Sequence, residues 1–236
     1  MEVSSAPAKT YLFGEHAVVY GEPAVLTAVD LRTRVEVEAA GDDAVDAVDS
    51  TYVEPALDAV RRETDYEGGF EVSVESDVPV GAGLGSSAAV TVATVDAAAR
   101  EVAGGLSRER VAELSYEVEL EVQGAASPAD TYASAHGGVC YVGDGVRESL
   151  DDDLDASLYV AWDGGSASTA EMVSRVRRLV DDTRVGDRVV TSIGVVSREG
   201  RAAVEAGDVR KVGRLMDVNH GLLEALGVST SRLSEL

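Results

Sequence analysis

The sequence holds one cysteine, Cys140, and two lysines, Lys9 and Lys211, in 236 residues. A single thiol excludes an internal disulfide and cannot by itself build a cysteine-rich zinc site. Cys140 lies in the apolar run Gly138-Val139-Cys140-Tyr141-Val142, which reads as a buried strand. Positive charge is scarce, with 20 Lys and Arg against 43 Asp and Glu and a net charge of −23. Phosphate-backbone binding needs a basic face, so nucleic acid is not an expected partner. No stretch approaches the roughly 20 apolar residues of a membrane span, and no basic segment followed by an apolar one opens the chain. The expectation is a cytoplasmic protein with no membrane partner. Internal repeats and low-complexity linkers are also missing.

Acid is what the sequence has in excess, in short runs such as Gly41-Asp42-Asp43 and Leu150-Asp151-Asp152-Asp153 spread along the whole chain. A tail would suggest a docking surface for a basic partner, whereas dispersal favours solvation. At molar salt the screening length falls to about 3 Å, which removes most of the self-repulsion that such a charge creates in dilute buffer. A halophilic protein is therefore expected. At 45% hydrophobic residues the chain has ample material for a packed core.

The pattern alternates between strand and helix. Thr10–Phe13, Ala24–Val29 and Arg32–Glu38 read as strands, as does Phe70–Val74, while Thr51–Arg62 carries Val53, Ala56, Leu57 and Val60 at helical spacing. Ala88–Val102 predicts a helix buried on most sides, and Ser107 caps a further helix over Arg108–Val122. Gly124–Thr131 reads as a polar turn, Leu158–Trp162 as a strand, and Ala170–Val180 and Val209–Leu226 as helices. The acidic turn at Asp151–Asp155 is the expected domain boundary, dividing the chain into 1–153 and 154–236.

Between a strand and the Ala-rich helix stands Val78-Pro79-Val80-Gly81-Ala82-Gly83-Leu84-Gly85-Ser86-Ser87-Ala88-Ala89-Val90. Glycines there let the backbone approach an anion, and the free N–H groups and positive end of the helix bind it. Gly81, Gly83, Gly85, Ser86 and Ser87 meet that need; the plainer reading is a tight turn with Ser as N-cap. A Walker loop is excluded because no Lys-Ser or Lys-Thr follows the glycines. Gly83-Leu84-Gly85-Ser86-Ser87-Ala88 fits the dinucleotide pattern G-x-G-x-x-A, but a helix follows where a second parallel strand and its acidic residue are required.

A second stretch, Ala6-Pro7-Ala8-Lys9-Thr10-Tyr11-Leu12-Phe13-Gly14-Glu15-His16-Ala17-Val18-Val19-Tyr20-Gly21, resembles the N-terminal signature of the mevalonate kinases, within the GHMP small-molecule kinase superfamily. The glycine loop is similar to that superfamily's second motif, P-x-G-x-G-L-G-S-S-A. Gln123–Gly138 resembles the segment carrying the catalytic aspartate, and Val218-Asn219-His220-Gly221-Leu222-Leu223 resembles a later helix. A third motif of the superfamily, a glycine-rich loop of the C-terminal lobe, is not met before Leu236, so the chain reads as truncated and closure of its site is in question.

The resemblance implies roles. Pro79 to Ala89, that is Pro79, Gly81, Ala82, Gly83, Leu84, Gly85, Ser86, Ser87, Ala88 and Ala89, would bind ATP. Ser87 and Glu119 would hold Mg²⁺, with Glu117 and Glu121 as competitors on other faces of the same helix. Asp130 would receive or orient the alcohol proton, against the plainer reading of an Asx turn or cap. Lys9 would lower the hydroxyl pKa and steady the transferred phosphoryl. Glu15, His16, Ser127 and Thr169 would lie by the substrate, each also open to a capping or packing role. His136 and His220 have no metal-ligand companion and read as structural.

The fold implied is α/β, the two-lobe α+β GHMP kinase fold, with a mixed-sheet N-terminal lobe and an incomplete C-terminal α+β lobe. The reaction implied is transfer of the γ-phosphoryl of ATP to the C5 hydroxyl of mevalonate, with ATP and mevalonate as partners and a homodimer left open. Phosphomevalonate kinase, a nucleotide-binding fragment without catalysis and an acidic interaction module are the alternatives.

Overall fold

Along the second strand Thr33, Val35 and Val37 are buried while Arg34 and Glu38 face water, the period-two pattern of a sheet covered on one face. The computed structural model describes residues 1–47, 49–124, 126–150, 156–162 and 169–229. The chain divides into two compact units: Met1–Thr10, Ala28–Val80 and Leu84–Gly137 form the first, and Tyr11–Thr27, Gly81–Gly83 and Gly138–Leu236 the second. Two long strands, β1 (Glu2–Phe13) and β2 (Ala24–Ala40), contribute residues to both. The expected boundary at 153/154 and the turn Asp151–Asp155 lie outside the described residues.

In the first unit β2 pairs antiparallel with β4 (Gly69–Ser76) through Val35↔Val74 and Val37↔Val72. The short β3 (Ala44–Asp46) runs parallel to β4, so the sheet is mixed. Four helices accompany it: α1 (Val53–Thr64), α2 (Ser86–Ala103), α3 (Arg108–Gln123) and α4 (Pro128–His136). Helix α1 buries Val53, Ala56, Leu57 and Val60, the i, i+3, i+4, i+7 face anticipated. Helix α2 buries ten residues on nearly all sides. These faces meet Val35, Val37, Phe70 and Val72 of the sheet in one core that also takes Val111, Leu114 and Val118 of α3.

In the second unit residues Ala24–Thr27 of β2 pair with β5 (Val139–Gly143), which forms a hairpin with β6 (Val146–Leu150). Asp144 (φ 52°) and Gly145 (φ 79°) make its two-residue turn, the left-handed pair such a hairpin needs. A 3₁₀ turn, Ala17–Tyr20, follows β1, and α5 (Thr169–Asp182), α6 (Arg184–Glu205) and α7 (Val209–Ala225) complete the unit. Phe13, Val25 and Tyr141 pack with Val196 and Val204, and Ala17 with Val176, Ile193 and Leu226.

The α/β class is as expected, while several local readings are corrected. Ala24–Val29 and Arg32–Glu38 are one strand, because β4 and β5 pair with its two ends in turn. Gly124–Thr131 is no continuous turn; from Pro128 it is helix α4. Leu158–Trp162 forms no strand, and Tyr159 is 92% exposed. Helix α6, 22 residues long, was unassigned in the sequence pattern. Cys140 is buried in β5 as expected, and burial pushes its thiol up to about 11.

Candidate active site

Lys9 lies on β1 within four consecutive buried residues, Ala6 to Lys9, and is itself 4% exposed. A buried ammonium needs a partner, and Nζ lies 3.0 Å from Oδ2 of Asp130. The backbone around it is fixed too, since the Lys9 N–H donates to the Leu84 carbonyl at 2.9 Å. The Lys9 stem runs along Gly85, where a Cβ would stand 2.6 Å from Cε and 3.0 Å from Cγ. Gly85 therefore serves a close approach as well as its left-handed φ of 72°.

Gly85 is the N-cap of α2, and no side chain caps that end. Ser86 and Ser87 are the first two helical residues, so the reading of a serine N-cap is corrected. The Ala89 N–H bonds the Gly85 carbonyl, and the N–H groups before it lie outside the helical ladder at the positive end of an 18-residue helix. Gly81 and Gly83 also have positive φ, 75° and 77°. Those two residues, with Ala82, group with the second unit, while Pro79, Leu84, Ser86, Ser87, Ala88 and Ala89 belong to the first.

Among the five glutamates of α3, Glu119 alone is buried, at 3% exposure. Glu117 pairs with Arg110 and Glu121 with Arg62 at the surface. Burial pushes the Glu119 carboxyl up to about 7, with the Asp130 charge adding to the rise and a hydrogen bond from Ser87 and the charge of Lys9 opposing it. Ser87, Glu119, Asp130 and Lys9 are thus one electrostatic group within the first unit. Among the described residues no three His, Cys, Asp or Glu side chains are arranged to hold a metal. The donor set nevertheless fits Mg²⁺: a serine hydroxyl and one buried carboxylate are hard oxygen ligands, and this ion keeps waters and phosphate oxygens for its other positions.

Asp130 is the third residue of α4, in its first turn and beyond its cap, where the helix dipole favours a carboxylate. Ser127 is the N-cap of that helix, accepting from the Ala129 N–H at 3.2 Å. Sequence reasoning missed Tyr52, which precedes α1: its hydroxyl shares a hydrogen bond with Ser87 and feels the Glu119 charge, and burial raises its pKa. Its place before the apolar face of α1 gave no signal of that contact.

Glu15 and His16 lie in the second unit. His16 has a left-handed φ of 64°, and burial holds its imidazole below the usual histidine range. Asn219 of α7 donates from Nδ2 to Glu15 Oε2 at 2.8 Å. Thr169 opens α5, and its side chain lies outside the described residues. His136 stacks on Tyr132 and faces Glu109, and His220 faces Glu224 at 3.7 Å, both consistent with structural roles.

Comparison with known proteins decides the family. Residues 51–138 match the GHMP kinases N terminal domain, the segment holding the glycine loop, Glu119 and Asp130. The chain is 41% identical to the mevalonate kinase of Thermococcus onnurineus and 39% identical to that of Pyrococcus abyssi, in each case over 99% of this chain and 80% of the relative. The chain belongs to the mevalonate kinase family. Its fold matches the crystal structure of the Methanococcus jannaschii mevalonate kinase with a TM-score of 0.79 and 26% identity, covering 97% of this chain and 80% of that one. The kinase assignment drawn from the two motifs is borne out. Among the described residues no helix is long and apolar enough to cross a membrane.

Proposed function

We propose that this kinase transfers the γ-phosphoryl group of ATP to the C5 hydroxyl of mevalonate, with Lys9 and Asp130 acting on the hydroxyl and the N-terminus of α2 receiving the nucleotide phosphates. The observation that carries this reading is the Lys9–Asp130 pair at 3.0 Å, side chains 5% and 24% exposed, against the glycine that opens α2. Phosphoryl transfer asks for positioning and charge neutralisation more than for covalent chemistry. Asp130 accepts a hydrogen bond from the attacking hydroxyl and takes its proton as the new P–O bond forms and the bond from the γ-phosphorus to the bridging oxygen breaks, with ADP as the leaving group. Lys9, a point charge beside it, favours the developing alkoxide and then faces the incoming phosphoryl oxygens.

Ser87 and Glu119 would hold Mg²⁺, which supplies charge neutralisation at the phosphate oxygens when bound. Pro79, Gly81 to Gly85, Ser86, Ser87, Ala88 and Ala89 follow the nucleotide-binding motif, and the uncapped N–H groups of Ser86 and Ser87 are assigned to the phosphates. Glu15, His16, Ser127 and Thr169 are assigned to the mevalonate side. The net charge of −23 supports a cytoplasm of high salt as its setting.

The experiment is product identification. Incubated with Mg-ATP at molar KCl, the enzyme converts mevalonate to 5-phosphomevalonate, read as a phosphate monoester by ³¹P NMR, and leaves phosphomevalonate unchanged. Formation of a diphosphate from phosphomevalonate, with mevalonate untouched, would overturn the substrate assignment.

A further inference from the structure

The backbone on either side of Glu15 is held in conformations that most residues avoid. Gly14 has a φ of 97°, and a Cβ there would stand 2.5 Å from both the Ala24 Cα and the Pro23 carbonyl oxygen. His16 has a φ of 64° with a full side chain. Gly14 adopts such a φ freely, whereas His16 is strained there, and strain of this kind persists where the surrounding structure demands one geometry. The turn thus fixes where the Glu15 side chain starts.

Asn219 fixes where it ends. This residue is 3% exposed on α7, and its Nδ2 donates to Glu15 Oε2 at 2.8 Å across 204 positions of sequence. Its Oδ1 is buried without a donor among the described residues. An apolar side chain, like the Leu222 and Leu223 that follow on the same helix, would avoid that desolvation cost. Retention of the amide points to the contact with Glu15. The amide is also selective, because an N–H donor rewards an ionised carboxylate.

We propose that Asn219 is a positioning residue that holds the Glu15 carboxylate in one orientation, as the acceptor for a hydroxyl of the substrate. The inference rests on the reading that Glu15 faces mevalonate, and it adds a residue of α7 that acts through Glu15 without touching the substrate.

The test is a double-mutant cycle with Glu15→Gln, Asn219→Leu and the combined variant, measuring KM for mevalonate, kcat, Mg-ATP affinity by calorimetry and thermal stability. Asn219→Leu raises the mevalonate KM by about tenfold while Mg-ATP affinity stays within twofold, and the double variant is no worse than Glu15→Gln alone. Should the leucine variant fail to fold, Asn219→Asp replaces it: nearly the same shape, it sets a carboxylate against Glu15 and gives the same rise in KM. The proposal is overturned if the folded Asn219 variants keep the native KM, or if their effect multiplies in full with that of Glu15→Gln. A native KM for Glu15→Gln itself would overturn the substrate role of Glu15, and the proposal with it.

Discussion

A Cβ on Gly85 would stand 2.6 Å from Cε of Lys9, so the side chain that pairs with Asp130 passes through space that only a glycine leaves open. Gly83 shares the left-handed backbone, φ 77° against 72°, but a Cβ there would meet nothing within 4 Å. The pair separates backbone strain from displacement of Lys9.

Gly83→Ala should pay only the left-handed backbone cost of about 1–2 kcal/mol, read as a lower melting temperature with modest loss of rate. Gly85→Ala carries that cost and also moves Lys9, so its kcat falls by a further factor of about ten or more. Equal kcat values in the two folded variants would contradict the close approach.

Glu119 sets a pH dependence. Its folded pKa is raised from 4.5 to about 7, so between those values the folded protein keeps a proton that the unfolded chain has released. Stability of the ligand-free protein therefore falls as pH rises through that window. Glu119→Gln removes the penalty, raising stability at pH 8 by at most about 3 kcal/mol, while Mg²⁺-dependent turnover is lost. Denaturant unfolding at pH 5 and pH 8 without metal checks the sign.

Tyr52→Phe removes the hydroxyl that shares a hydrogen bond with Ser87. One hydrogen bond of about 1 kcal/mol corresponds to a roughly fivefold rise in the Mg²⁺ concentration needed for half-maximal activity, with the mevalonate KM unchanged. Titration of activity against free Mg²⁺ reads it directly.

Salt is the remaining lever. With a net charge of −23, screening should raise the melting temperature by more than about 10 °C between ~0.1 M and ~3 M KCl. A melting temperature that does not move would remove the halophilic reading.

Local signals carried most of the fold. Ser107 and the apolar spacing of α3 sit together in sequence, and Ser107 does accept from the Arg110 N–H. Helix α6 was hidden because its interior glycines look like breakers. Their use is tertiary: a Cβ on Gly200 would meet the Phe13 ring at 2.3 Å, and one on Gly194 would meet Glu22. Leu158–Trp162 shows the opposite failure, since an apolar run cannot declare whether a neighbouring strand exists to pair with it. In the site, residue types came through the family resemblance, whereas the contacts of Lys9 with Asp130 and Asn219 with Glu15 join distant segments and leave no trace in local pattern.

The most direct test of the central claim is ADP release from Mg-ATP at molar KCl, with and without mevalonate, for this chain and for Asp130→Asn side by side. Mevalonate-dependent release that falls by about 10²–10⁴-fold in the variant, with Mg-ATP still bound by calorimetry, is the predicted result. Release from Asp130→Asn at the native rate, or none from a native chain that binds Mg-ATP, would contradict the account.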